Sequence, residues 1–109
     1  MVSRSSRTVI PERYQPYACA DYFESERFTR GFYDETAQQQ TFYPAAELVE
    51  HPVLDFLAVG RPGVDGIEWG YRRNEAGLWA YYPITDEFEY LASTVAELFE
   101  GWYAGRITV

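Results

Sequence analysis

The spacing of apolar and polar positions changes along this 109-residue chain, and the changes predict its elements. From Ile67 to Arg73 the pattern alternates, with Ile67, Trp69 and Tyr71 on one face and Glu68 and Arg72 on the other, as in a half-buried strand. Asn74-Glu75-Ala76-Gly77 reads as a hairpin loop in which Gly77 can take a positive φ. Leu78 to Tyr82 is the returning strand and ends at Pro83. Upstream, Val53 to Gly60 is an almost continuous apolar run, the signature of a strand covered on both faces. Arg61-Pro62-Gly63-Val64-Asp65-Gly66 is turn chemistry throughout. Glu87 to Tyr90 reads as a fourth strand or as an extended lead-in. The spacing then becomes helical: Val95, Leu98, Phe99 and Trp102 fall at i, i+3, i+4 and i+7, one apolar stripe. Thr94 is placed to cap this helix, with Glu97 completing a capping box. Gly105 is placed to stop it, and Ile107-Thr108-Val109 to add an edge strand.

The first half is less regular. Residues 1–9 read as a flexible arm and residues 10–109 as a single domain. Pro11 and Pro16 bracket Tyr14 and Tyr17, which argues for an irregular or single-turn segment. Ala18 to Glu26 reads as a short helix carrying Tyr22 and Phe23. Phe28 to Tyr33 reads as a strand with Phe28, Arg30 and Phe32 on one face. Gln38-Gln39-Gln40 reads as polar loop. Pro44 then opens a short helix, Ala-Ala-Glu-Leu-Val-Glu, at whose first position its missing N–H costs nothing; the stop is near Pro52.

Composition limits what such a chain does. Hydrophobic residues make up 47% and aromatics 18%, enough for a core and far from the signature of disorder. The formal net charge is -8, from 17 acidic and 9 basic residues, and every basic residue is Arg. A field of this sign repels phosphate backbones and anionic lipid and draws cationic partners, so neither nucleic acid nor membrane is an expected partner. No apolar run approaches the roughly 20 residues of a membrane span, and the start has no signal-peptide core. The single cysteine, Cys19, excludes an internal disulfide, and an intracellular, cytoplasmic setting is expected.

The order of these pieces resembles the SMI1/KNR4-like, or SUKH, superfamily. The matching residues are Tyr43-Pro44-Ala45-Ala46-Glu47-Leu48, then Phe56-Leu57-Ala58-Val59-Gly60 through Asp65-Gly66. They continue with Gly77-Leu78-Trp79-Ala80-Tyr81-Tyr82 and with Leu91 to Phe99, which is similar to the family's closing helix. Ile10-Pro11-Glu12-Arg13-Tyr14 resembles its Leu-Pro-x-x-Tyr element. Only nine residues precede Ile10, and Pro16 interrupts the segment that follows, so the chain reads as a shortened or divergent member. The resemblance implies an α+β domain with a mostly antiparallel central sheet and flanking helices. Bacterial members are similar to immunity proteins that neutralise toxins, often nucleases. The resemblance brings no catalytic residues and no cofactor.

Candidate chemistry is correspondingly thin. His51, between Glu50 and Pro52, suits a helix end; a zinc site would need nitrogen or sulfur ligands beyond it and Cys19. Cys19 has aromatic neighbours and no evident base, as a core thiol does. Asp65, Glu68 and Asp86 read as turn and strand-face residues, with acid–base work as the alternative. The aromatic set Trp69, Tyr71, Trp79, Tyr81 and Tyr82 cannot all face one core. Either helices cover both faces of the sheet, or some of these rings form a binding surface rimmed by Asp65, Glu68, Asp86, Glu87 and Glu89. The expected function is a non-catalytic acidic domain that binds a basic protein, with a scaffold module or an aromatic small-ligand pocket as alternatives.

Overall fold

The computed structural model describes Tyr17, Tyr22, residues 30–36 and residues 38–109. The expected arm over residues 1–9, and the neighbourhoods of Cys19 and Phe28, lie outside the described residues. So does most of the helix expected at 18–26, of which Tyr22 is described and is helical. In chain order the strands are β1 (Phe32–Asp34), β2 (Gln39–Phe42), β3 (Val49–His51), β4 (Phe56–Gly60), β5 (Glu68–Arg72), β6 (Glu75–Tyr82) and β7 (Glu87–Ala92). Helix α1 (Val95–Tyr103) follows. The strands form one antiparallel sheet in the order β1-β2-β4-β5-β6-β7, with β3 also paired to β4. Because β5 occupies one edge of β4, β2 and β3 share the other: β3 along Phe56 to Ala58, β2 only at Gly60. The arrangement is α+β with one α-helix among the described elements, where flanking helices in the plural were expected.

Register separates the two faces. Leu57, Tyr71, Leu78 and Ala92 form a row across β4 to β7. This row, with Val59, Trp69 and Phe42, meets Val95 and Leu98 of α1 in the core. Each buried Leu, Val or Phe of this set stabilises the fold by about 1.5–3 kcal/mol. α1 begins as its sequence requires: the Thr94 hydroxyl accepts from the Glu97 amide at 3.1 Å. The reciprocal bond goes one residue further back, with the Ser93 amide donating to Glu97 Oε1 at 2.7 Å. α1 ends in a Schellman motif, the Arg106 amide reaching the Gly101 carbonyl at 2.8 Å and the Gly105 amide the Trp102 carbonyl at 3.2 Å. Gly105 has a φ of +80°.

Several expected elements shift. Gly31 has a φ of +82° and breaks the strand expected over Phe28 to Tyr33, so β1 starts at Phe32 and Arg30 lies in a turn. Gln39 and Gln40, expected as loop, belong to β2, which pairs with β1 in a hairpin whose turn includes Gln38 at a φ of +56°. The helix expected from Pro44 contracts to a single 3-10 turn, Ala45–Glu47, with Pro44 at the N-cap. The rest of that segment becomes β3. A second 3-10 turn, Pro52–Leu54, delays β4 to Phe56, and all five β4 residues are buried as expected. The β5–β6 turn is tighter than expected: Arg72 faces Glu75 across Arg73 and Asn74. Gly77 does take a positive φ, +93°, but in a bulge that opposes Leu78 to Tyr71. Residues 107–109 form no strand; the Ile107 side chain packs over Gly101 instead.

The β1–β2 hairpin meets the rest of the sheet through a single residue pair, Phe42 with Gly60. Contacts from elsewhere supplement that junction. The Tyr43 amide donates to the Val59 carbonyl at 2.7 Å, and the Arg61 amide to the Thr41 carbonyl at 3.2 Å. From α1, the Tyr103 hydroxyl donates to Asp34 Oδ2 at 2.8 Å and lies 3.1 Å from Thr41 Oγ1. Phe32 packs edge-on against Phe99, with ring centroids 5.0 Å apart.

Candidate binding face

Strand alternation sends the remaining rings to the face of the sheet opposite α1. Two rows define it: Ala58, Gly70, Trp79 and Tyr90, and beside it Glu68, Tyr81 and Phe88. Phe56, paired with His51 and Arg72, lies at its β4 end. The rings form a connected layer. Phe88 lies 5.0 Å from Tyr81 and 5.4 Å from Phe56, and Trp79 meets Tyr90 edge-on at 5.4 Å. No described helix covers this layer. Phe56 is nevertheless fully buried beneath its neighbours, while Trp79, Tyr81 and Phe88 are half-buried and Tyr90 is 52% exposed.

One cation sits within the layer. The Arg72 guanidinium lies 4.2 Å from the Phe88 ring centroid and 4.8 Å from that of Trp79. Two ring faces hold the planar group, an arrangement worth about 0.5–1 kcal/mol per contact at exposed sites. At the β3 end, His51 Nε2 lies 2.8 Å from Glu68 Oε1, and the His51 ring stacks over Phe56 at 6.3 Å. The Tyr43 hydroxyl donates to the other Glu68 oxygen at 3.5 Å. Burial, and then the Glu68 charge, raise the Tyr43 pKa. His51 is therefore the last residue of β3, paired with a carboxylate across the sheet. It does stand at a helix end, but as N-cap of the 3-10 turn Pro52–Leu54, not the end that favours a cation.

The ten residues expected to line a partner surface divide four ways. Trp69 and Tyr71 leave the set: they are 0% and 1% exposed in the core beneath α1, because their parity in β5 matches that of the core row. The Trp69 indole donates to the Thr41 carbonyl at 2.9 Å. Trp79, Tyr81, Glu68 and Asp86 come together on the open face. The Tyr81 hydroxyl donates to Asp86 Oδ1 at 2.6 Å, and this bond raises the Tyr81 pKa. Tyr82, Glu87 and Glu89 point to the α1 side, where the Tyr82 hydroxyl donates to Glu89 Oε1 at 2.6 Å. That bond pushes the Tyr82 pKa up to about 12. Asp65 stands apart as a turn residue: Asp65 and Gly66 both take positive φ, +54° and +72°, the combination of a type I′ turn.

Phe56, Phe88, Tyr90 and Arg72 were not singled out by sequence. Their parity in β4, β5 and β7 was the available signal, but it decides a face only once register is known. Among the described residues no group of three His, Cys, Asp or Glu side chains is placed to hold a metal ion. Among them, too, no helix is long and apolar enough to cross a membrane. No protein-family model, curated protein or solved structure matches the chain.

Proposed function

We propose that this chain is a non-catalytic, acidic protein-binding domain of the SMI1/KNR4-like type, an immunity-type protein that docks and occludes a basic toxin. The observation that carries the reading is the aromatic layer of Trp79, Tyr81, Phe88 and Tyr90, open on the side away from α1 in a chain of net charge -8. Tyr and Trp dominate binding energy at protein interfaces because they combine large contact area with few rotatable bonds and a polar tip. Glu68 and Asp86 border the rings, and Glu87 and Glu89 lie one strand face away. These carboxylates steer a cationic partner and set the rate of encounter more than the final affinity. Neutralisation then works by occlusion, with the rings covering the basic surface by which the toxin holds its own substrate.

The test is affinity capture from host lysate at low and high salt, followed by association kinetics with the captured protein. The expected result is one basic protein, lost as salt rises, whose toxicity in cells is relieved by co-expression of this chain. Reversing charge at Glu87 and Glu89 slows its association and flattens the salt dependence. A captured partner that is acidic, or that binds with an unchanged rate and salt slope after charge reversal, refutes the reading.

A further inference from the structure

The protein-binding reading above leaves open how a partner engages, and the sheet offers a specific route. We propose that the outer edge of β7 is a strand-addition site for an extended segment that alternates basic and apolar side chains. Among the described strands β7 pairs with β6 alone, so along its other edge alternate residues direct their backbone N–H and C=O groups outward. β7 is six residues long and contains neither Pro nor Lys, the residues that most often blunt an edge. The opposite end of the sheet is different. β1 has only three residues and is tied down by Tyr103 through Asp34. Each edge strand carries one register shift, and that of β7, at Leu91, lies beyond the Glu87 to Tyr90 stretch.

The side chains of β7 select the occupant. Glu87 and Glu89 are exposed on the α1 side of the strand, and Phe88 and Tyr90 lie on the aromatic side. The Tyr82 hydroxyl holds one Glu89 oxygen at 2.6 Å, fixing that carboxylate over the sheet surface. An added strand therefore places every second side chain against carboxylates and the intervening ones beside Phe88 and Tyr90. A second copy of β7 is a poor match, because antiparallel self-pairing sets Glu87 and Glu89 against the same acids, and like charges directly opposite destabilise a pair. Basic residues at those positions reverse the sign of that interaction. The main chain supplies affinity and the alternation supplies specificity.

The experiment uses the full chain and a blocked synthetic peptide of alternating arginine and valine, with amide hydrogen exchange read residue by residue. Saturating peptide is expected to slow exchange at the outward amides of β7 by about tenfold or more, leaving β1 unchanged. A peptide of the same composition with its arginines and valines in two blocks is expected to bind about tenfold more weakly, since it cannot match both faces. The double variant Glu87→Arg with Glu89→Arg is expected to exchange preference, rejecting the arginine–valine peptide and taking a glutamate–valine one. Binding without slowed exchange in β7 overturns strand addition and leaves the acidic docking reading standing. No binding by the folded chain also overturns it, and the capture experiment judges the broader reading separately. Concentration-dependent protection of β7 without peptide assigns the edge to a second copy and overturns it as well.

Discussion

Trp69 and Trp79 have the same alternating sequence context and opposite positions, so replacing each by alanine tests the assignment of the two faces. Trp69 is fully buried, its ring 5.4 Å from Phe42 and 5.2 Å from Trp102, and its indole N–H bonded to the Thr41 carbonyl. That carbonyl keeps a second donor, the Arg61 amide at 3.2 Å, so truncation leaves no orphaned acceptor. The cost is then the ordinary one for emptying a large aromatic site, about 3–5 kcal/mol. At roughly 4–8 °C per kcal/mol for a domain near this size, Tm falls by about 12–40 °C. Trp79 is half-buried and its N–H bonds locally to the Ala76 carbonyl at 3.0 Å. Its loss removes about 1 kcal/mol of apolar burial and about 0.5–1 kcal/mol of contact with Arg72, so on the same scale Tm falls by about 6–16 °C, roughly half the fall for Trp69. Thermal and urea unfolding of both variants, with the urea slope unchanged, make the measurement. Equal losses, or a larger loss for Trp79→Ala, would refute the register on which the binding face rests.

Three further outcomes follow from local geometry. The Glu97 carboxyl is held below its ordinary pKa of 4.5, first by the Ser93 amide and then by the Ser93 hydroxyl. Its contribution is therefore complete above the ordinary value and lost as pH falls through the lowered one; Glu97→Gln removes that part of the acid sensitivity in urea titrations across this range. Tyr82 moves the opposite way: with its pKa raised from 10.0 to about 12, its contribution is complete below 10.0 and lost as pH rises toward 12. Tyr82→Phe should flatten alkaline unfolding in that window and remove a late step from the tyrosinate absorbance titration. At Gly77 an added Cβ would lie 2.7 Å from the Ala92 carbonyl at a φ of +93°, whereas at Gly105, with φ +80°, it would meet nothing within 4 Å. Gly105→Ala should cost about 1–2 kcal/mol from the left-handed backbone alone, and Gly77→Ala clearly more, as read from urea midpoints.

The second half of the fold was legible because its signals are local. The alternation of Ile67 to Arg73, the apolar run ending at Gly60 and the Thr94–Glu97 pair each act within a few residues of where they are written. The β1–β2 hairpin was hidden because Gln39 and Gln40 are polar, and because left-handed Gln38 gives no glycine at the turn. β3 was hidden because Val49-Glu50-His51 continues the helical-looking segment after Pro44, and its pairing with β4 decides otherwise. Alternation alone puts Trp79 and Tyr81 on one face of β6 and Tyr82 on the other, and the pairings agree. Separating Trp79 and Tyr81 from Trp69 and Tyr71 required the β5–β6 pairing, which sets Tyr71 against Leu78 and Trp69 against Ala80; the shift at Gly77 is two residues long and keeps that parity. In the sequence Arg72 is only the polar side of a strand; its place between two rings depends on β7, whose residues fit a strand or a lead-in equally well.

The narrow junction at Phe42 and Gly60 has a consequence for how the domain loosens. The hairpin's attachments, the Phe42–Gly60 pair, the bonds of Tyr43 and Thr41 to β4 and its flanks, and the Tyr103 phenol, all lie along one line, so it can part from β4 to β7 as a unit. Tyr103 is the clasp: it grips Asp34 and Thr41 from the last full turn of α1, so fraying of that turn and release of the hairpin become one event. Release would uncover Phe42 and the Trp69 indole together, giving the domain a seam at the end of the sheet opposite the β7 edge. A strand added at β7 would join the sheet at the end opposite that seam.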